Sequence, residues 1–144
     1  MPLVATEEKN SAPSLQDGGD FLEPLDAAAN LNGLATVYYF EGQFQKAELF
    51  FKRSLAIREK ALGVEHPDVA RSLNNLGLLY NDQRQYAKAE PLYQLALAIL
   101  NKTLGAEHPD VAVCLDNYAT LLKRTGRTEE AGTLEFRARA IREQ

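Results

Sequence analysis

The chain has 144 residues, of which 45% are apolar and 25% are charged, a composition typical of soluble globular domains. Its net charge of −4 argues against a nucleic-acid-binding role, which usually requires a basic surface. The single cysteine, Cys114, excludes an intrachain disulfide and weakly favours a reducing compartment. The sequence lacks a secretory signal pattern and any apolar run near the roughly 20 residues of a membrane span, so we expect a cytoplasmic protein without membrane contact.

Residues 1–23 are predicted to form a disordered acidic tail before the folded part of the chain. Four acidic residues lie there among Ser, Gly, Pro and Gln without apolar periodicity: Glu7, Glu8, Asp17 and Asp20. Such a segment buries too little apolar surface to offset the entropy lost on ordering. Phe21 and Leu22 leave two readings open. They cover the exposed end of the first helix pair, or they act as a ligand for the same or a neighbouring chain.

From residue 24 onwards the chain repeats itself. The segment Gly63-x-Glu65-His66-Pro67-Asp68-Val69-Ala70 returns as Gly105-x-Glu107-His108-Pro109-Asp110-Val111-Ala112, so the period is 42 residues. The same offset, applied backwards, aligns a third copy that begins near Pro24. A period in this range predicts a solenoid. We therefore expect one domain over 24–144, made of three units at 24–66, 67–108 and 109–144.

Each unit is predicted to be a helix, a turn and a second helix, which gives an all-α fold of six helices without strands. Proline followed by aspartate suits the first turn of a helix, where the proline N–H is not needed and the helix dipole favours negative charge. The first helices are expected at 26–40, 68–82 and 110–124, and the second helices at 44–62, 86–104 and 128–143. Gly42 and Gly126 mark two of the turns, while Arg84 stands at that place in the middle unit.

The apolar residues of the first helices recur at helical spacing. Leu73, Leu76, Gly77 and Tyr80 lie at offsets of 3, 4 and 7, which places them on one face of a helix. Leu31, Leu34, Ala35 and Tyr38 match them in the first unit. Small residues such as Gly77 should let paired helices approach closely, so a bulky replacement should overpack the core. In the last helix, Glu135 and Arg139 replace apolar residues of the earlier units, as expected of a polar terminal cap.

The pattern Leu73-x-x-Leu76-Gly77-x-x-Tyr80, followed by Ala89-x-x-x-Tyr93-x-x-Ala96, resembles the tetratricopeptide repeat. The 42-residue period and the Gly-x-Glu-His-Pro-Asp-Val-Ala segment are similar to repeats of the kinesin-light-chain type. The resemblance covers about residues 25–144. It implies a tetratricopeptide-repeat solenoid with a right-handed superhelix, whose concave groove is lined mainly by first helices and grips peptides.

The candidate peptide-binding residues lie on the first helices, away from the predicted core face: Asn32, Tyr39, Arg71, Asn74, Asn75, Leu78, Asn81, Asn117, Lys123 and Arg124. Asparagine is a poor helix former, so its recurrence inside helices suggests a role for its amide, which can both donate and accept hydrogen bonds. The alternative is that these asparagines only satisfy neighbouring backbone groups. The basic pair near the end of the row would favour an acidic peptide, unless it is ordinary solvated surface.

Two histidines and one cysteine are the remaining candidates for chemistry. His66 and His108 each precede an aspartate by two residues, but zinc generally requires three or four converging ligands, so we expect them only to fix the turn before a helix. Cys114 has no histidine placed to activate it and is expected to pack in the core. We therefore predict no metal, no cofactor and no enzymatic activity.

The sequence thus predicts an adaptor that binds an extended, acidic and aromatic peptide segment of a protein partner, without nucleic acid. The alternative is a structural or regulatory repeat module that self-associates or belongs to a larger assembly and leaves the groove unused. In that case a homo-oligomer would form through the solenoid ends or the N-terminal tail.

Overall fold

The structure is a computed structural model that describes residues 23–144. The disordered tail that the sequence predicts for 1–23 lies outside these residues except for Glu23. Residues 23–144 form six helices: α1 Pro24–Phe40, α2 Phe44–Leu62, α3 Pro67–Asp82, α4 Tyr86–Thr103, α5 Pro109–Arg124 and α6 Thr128–Arg142. The described part of the chain contains no strand. The all-α prediction is confirmed, and every predicted helix boundary lies within two residues of the observed one.

The histidines fix the starts of two helices. His66 and His108 are the N-cap residues of α3 and α5, and each Nδ1 accepts a hydrogen bond at 3.0 Å from the backbone N–H two residues later. This bond satisfies one of the donors that the first turn of a helix leaves without a partner. The extended backbone of each histidine matches the restriction that the following proline imposes. Their predicted role as turn-fixing residues is confirmed.

The turns inside the three helix pairs share one backbone conformation. Gly42, Arg84 and Gly126 have φ angles of 78°, 63° and 84°, which lie in the left-handed region. Glycine adopts this region at no steric cost, whereas a residue with a Cβ is strained there by roughly 1–2 kcal/mol. Arg84 therefore occupies the one turn among these three that is built with a disfavoured residue.

The chain divides into two compact units, which are distinct from its three repeats. The first compact unit ends at Ala61 and the second begins at Leu62. Within the first, α1 and α2 form an antiparallel pair. Ser54 Oγ, late in α2, donates to the carbonyl of Ala28, early in α1, at 2.8 Å, while the rings of Tyr38 and Phe50 stack at 5.6 Å. Ala28 and Ser54 are fully buried. Leu34, expected in the core from its helical spacing, differs from the prediction because 37% of it is exposed.

The second unit, from Leu62 to Gln144, contains two helix pairs that stack on each other. Its centre is Tyr93 of α4, which is fully buried and stacks on Tyr118 of α5 with 5.8 Å between ring centroids. Gly77 of α3 also lies close to this ring, since an added Cβ would lie 2.8 Å from Tyr93 Cε1. The close approach that the small residue predicts is therefore present. Leu115 and Leu122 of α5 complete this core.

Helix α6 has the polar character expected of a cap, with one exception. Glu135 forms an ion pair with Lys123, and Arg142 Nη2 lies 2.6 Å from Asp116 Oδ2. Both pairs connect α6 to α5, whereas Phe136 is 66% exposed. The helix thus combines charged residues with one large apolar residue on its surface.

Candidate peptide-binding face

A row of polar side chains connects α3 and α5 within the second unit. Three sets of contacts cross from one helix to the other, near the start, the middle and the end of the pair. The residues are Arg71, Asn74 and Asp82 on α3 and Asp110, Asn117 and Arg124 on α5; we call them the polar row. Because the two helices are equivalent first helices of adjacent repeats, the row lies where the sequence predicts a peptide to bind.

The middle of the polar row is an amide pair. Asn117 Nδ2 donates to Asn74 Oδ1 at 3.2 Å, and both side chains are half-buried. A carboxamide has two N–H donors and a carbonyl with two acceptor sites, so one bond leaves further capacity on both residues. Asn75, the true repeat equivalent of Asn117, is also half-buried and makes an interaction of its own. Two of the predicted asparagines, Asn74 and Asn117, are therefore aligned by each other.

An arginine bound by two aspartates forms the start of the polar row. Arg71 donates from Nε and Nη2 to Asp110 Oδ2 at 2.8 and 2.7 Å and also pairs with Asp68 one turn earlier. Partial burial acts to lower the pKa of Arg71, but the hydrogen bonds and charges of the two carboxylates outweigh it, so the pKa is raised above the usual value. Since Asp110 also follows the capping His108, Arg71 connects the starts of both helices.

The end of the polar row differs from the expectation at Asn81. Arg124 Nη1 lies 3.3 Å from both the Asn81 carbonyl and Asp82 Oδ1, so the guanidinium spans the last turn of α3. The Asn81 side chain is fully buried, and neither its Nδ2 nor its Oδ1 has a hydrogen-bond partner within the described structure. The sequence predicts Asn81 as a lining residue of the groove, and this prediction is wrong for its side chain. Asn81 lies four residues after Gly77, on the core side of α3, so only its backbone oxygen meets Arg124.

The other predicted residues of the second unit lie beside the polar row. Leu78 is half-buried on α3, one turn after Asn74. Lys123 is 53% exposed and ion-paired with Glu135 of α6. The basic end that the sequence predicts is therefore present, but both of its cations already have a carboxylate partner.

Asn32 and Tyr39 belong to the first unit. Both are half-buried. The Asn32 carbonyl accepts a hydrogen bond from Thr36 Oγ1 at 2.9 Å, and the Tyr39 ring lies 5.1 Å from that of Phe40 in an edge-on arrangement. Phe40 is 80% exposed, so the end of α1 presents an aromatic surface.

The model of the tetratricopeptide repeat family matches the chain over residues 26–102 and 74–144, which together cover nearly all of the described structure. This chain belongs to the tetratricopeptide repeat family. Its 42-residue period and its structural neighbours further identify the repeats as kinesin-light-chain-like. The fold is a repeat solenoid of three helix–turn–helix units, as the sequence predicts. A comparison with curated proteins gave no match.

Solved structures support the same assignment. BtubC (BKLC) from P. vanneervenii superposes with a TM-score of 0.73 at 28% identity, over 80% of this chain and 46% of that one. A kinesin light chain-like protein of Podosopora anserina with nearly identical TPR-like repeats gives a TM-score of 0.69 at 30% identity, over 85% of this chain and 59% of that one. This chain thus spans about half the length of these two relatives.

A more distant structure shares only the fold. The N-terminal domain of stress-induced protein-1 from C. elegans has a TM-score of 0.65 at 15% identity, over 83% of this chain and 87% of that domain.

Repeats of the tetratricopeptide family generally mediate protein–protein interaction, and the family and its kinesin-light-chain-like members are non-catalytic interaction modules. None of the helices between residues 23 and 144 combines the length and apolar character needed to cross a bilayer.

A further polar network connects the second and third repeats, and the sequence does not predict it. Tyr118 Oη donates to Glu90 Oε2 at 2.6 Å, and Arg127 Nη2 donates to Glu90 Oε1 at 2.7 Å. The bond from Arg127 is the main reason that the pKa of Glu90 is lowered; burial, followed by the bond to Glu90, raises the pKa of Tyr118 to about 12. The network joins α4 to α5 and to the turn before α6. The repeat pattern does not predict the bond from the Tyr118 hydroxyl, because the equivalent residues of the earlier repeats, Leu34 and Leu76, have no hydroxyl.

The cysteine and the two histidines have structural roles in this repeat protein. Cys114 is buried, and burial raises the pKa of its thiol to about 12, so the thiolate needed for nucleophilic chemistry does not form near neutral pH. Each histidine uses Nδ1 as a cap. Across residues 23–144, no group of three or more histidine, cysteine or carboxylate side chains could hold a metal ion.

Proposed function

We propose that this chain is a non-catalytic interaction module that binds an extended peptide segment of a protein partner along the polar row. The amide pair Asn74–Asn117 is the observation that carries the proposal. It lies half-buried between two equivalent helices, with donor and acceptor capacity left over. An extended peptide exposes backbone N–H and C=O groups, and such amides can satisfy both. Leu78, one turn further along α3, offers apolar surface to a side chain of the same peptide.

The charges of the polar row determine which peptide it prefers. Arg71 and Arg124 are 46% and 43% exposed and are paired with carboxylates of the chain itself. Exposed ion pairs contribute only about 0–1 kcal/mol, so an acidic side chain of a ligand can replace one of these carboxylates with a small net change. We therefore expect backbone and apolar contacts to supply most of the affinity, and the acidic character of the ligand to set its position and salt dependence.

Binding of synthetic peptides to the intact chain tests this proposal. The probe is a library of extended peptides with an aromatic residue among acids, and a second library with lysines in place of the acids. Replacing Asn74 and Asn117 with alanine should weaken the best binder by more than about tenfold, which corresponds to about 1.4 kcal/mol. The matched control is Asn101→Ala, which removes an exposed asparagine from a second helix, α4.

The outcomes separate the parts of the proposal. Equal affinities of the double variant, the control and the native chain would place the binding surface elsewhere. Tighter binding of the lysine library would show that the ligand is basic, while leaving the polar row as the site. An absence of any binding in both libraries would favour the second candidate function.

That second candidate is a structural or regulatory repeat module. Apolar residues exposed on α1 and α6 favour it, because surfaces of this kind mark sites of protein association. Under both candidates we propose a cytoplasmic location and partners that are proteins, without cofactor, nucleic acid or membrane. The acidic composition supports the exclusion of nucleic acid.

A further inference from the structure

Helix α1 exposes apolar side chains at two positions whose equivalents in α5 are covered by packing. Tyr118 and Leu121 of α5 are equivalent, two periods later, to Leu34 and Val37 of α1. In α5, Tyr118 stacks on Tyr93 of α4 and Leu121 is fully buried. In α1, Leu34 is 37% exposed and its neighbour Val37 is 52% exposed. We call Leu34 and Val37 the α1 face.

Helix α6 exposes a complementary surface. In α4, Tyr93 stacks on Tyr118 of α5, and Gln94, which is exposed at the edge of this contact, donates from Nε2 to Tyr118 Oη at 3.0 Å. The α6 equivalent of Gln94 is Phe136, which is 66% exposed. One turn further, Arg139 is also exposed. We call Phe136 and Arg139 the α6 face.

Charge complements this apolar match. The start of α4 lies beside the end of α5, since Glu90 bonds both Tyr118 and Arg127. If α6 packed on another helix in the same antiparallel manner, the end of α6 would meet the start of that helix. The end of α6 has the basic residues Arg139 and Arg142, of which Arg142 also pairs with Asp116 of its own chain, and the start of α1 is acidic, with Glu23 and Asp26.

We propose that the α6 face of one copy of this chain docks on the α1 face of a second copy, in the way α4 packs on α5. The contact joins two different surfaces, so it does not close on itself and adds copies end to end as a continued solenoid. A single helix-on-helix contact buries less than the roughly 1,200 Å² of a stable interface, so the association should be weak and concentration-dependent. The proposal is independent of peptide binding along the polar row.

The test is sedimentation velocity of the full chain over a concentration series up to about 1 mM, a range suited to weak contacts. The native chain should form dimers and larger species as concentration rises. Phe136→Glu and Val37→Glu should each weaken association at least tenfold. Both residues are more than half exposed, so these variants should fold. Leu95→Glu changes an exposed leucine of α4 and is the matched control, which should associate like the native chain.

Mixing the two variants gives the decisive result. Phe136→Glu keeps its α1 face and Val37→Glu keeps its α6 face, so a mixture should form one-to-one dimers and nothing larger, although each variant alone associates at least tenfold more weakly than the native chain. Added salt should weaken these dimers. A native chain that is monomeric throughout the series would overturn the proposal and would leave the α1 face to residues 1–22 or to another protein. A mixture that stays monomeric, or a variant that alone associates as strongly as the native chain, would also overturn it.

Discussion

Replacing Gly77 with alanine tests the closest contact in the core. The added Cβ would lie 2.8 Å from Tyr93 Cε1 and 3.1 Å from Cδ1 and Cζ, whereas ordinary contacts begin at 3.4 Å. The ring would have to move by about 0.6 Å, the difference between 2.8 and 3.4 Å. Tyr93 is fully buried and stacked on Tyr118, so it has no free space to enter. Overpacking of this kind costs about 1–3 kcal/mol.

Helix propensity acts in the opposite direction and can be measured separately. Alanine in place of glycine inside a helix gains about 1 kcal/mol. Gly132 of α6 provides the control, because an added Cβ there would meet nothing within 4 Å. Gly132→Ala should raise the free energy of unfolding by about 1 kcal/mol. Gly77→Ala should be about 1–3 kcal/mol less stable than Gly132→Ala.

The assay is chemical denaturation followed by circular dichroism, with the native chain and both variants under the same conditions. Two more variants, Tyr93→Leu alone and Tyr93→Leu combined with Gly77→Ala, remove the ring and should show a coupling energy of about 1 kcal/mol in a double-mutant cycle. If Gly77→Ala were as stable as Gly132→Ala, the argument that Gly77 is required by its distance from Tyr93 would be refuted.

Three further perturbations test local features. Arg84→Gly should raise the free energy of unfolding by about 1 kcal/mol, because glycine removes the strain of a residue with a Cβ in the left-handed conformation. A lower free energy of unfolding in chemical denaturation would contradict this. His108→Ala should cost about 1 kcal/mol through the lost bond to the Asp110 N–H, whereas His108→Asn should retain most of the stability; equal losses would argue against capping. Because the pKa of Tyr118 is raised to about 12 by burial and by its bond to Glu90, its stabilising contribution is complete below about pH 10 and is lost as pH rises through about 12. In absorbance titration of the phenolates, Tyr118→Phe should lose a late-ionising component that the native chain shows.

The sequence is sufficient to predict the fold because every level of it agrees. The 42-residue period, the helix-start segments at Pro67 and Pro109 and the spacing of Leu73, Leu76 and Gly77 all specify paired helices. Helix ends are equally readable, since glycine marks two turns and Arg84 occupies the same place in the third. A single strong pattern repeated three times leaves few alternative folds.

The candidate site is less predictable, because it depends on which side chains of different helices form hydrogen bonds with each other. Spacing places Asn74 and Asn117 on neighbouring helices, but the hydrogen bond between them needs a register that spacing alone does not give. Asn81 is fully buried because it lies four residues after Gly77, on the core side of α3, so its side chain does not reach the polar row. The Tyr118–Glu90 network likewise joins residues 28 positions apart in the sequence.

The most direct test of the peptide-binding proposal is nuclear magnetic resonance of the labelled chain during titration with the best acidic-aromatic peptide. Side-chain amide signals of Asn74 and Asn117 and the backbone signals around Leu78 should shift together and saturate at one stoichiometry, while those of α6 around Phe136 stay unchanged. Saturable shifts confined to α6, with the asparagine signals unmoved, would contradict the account and place peptide recognition away from the polar row.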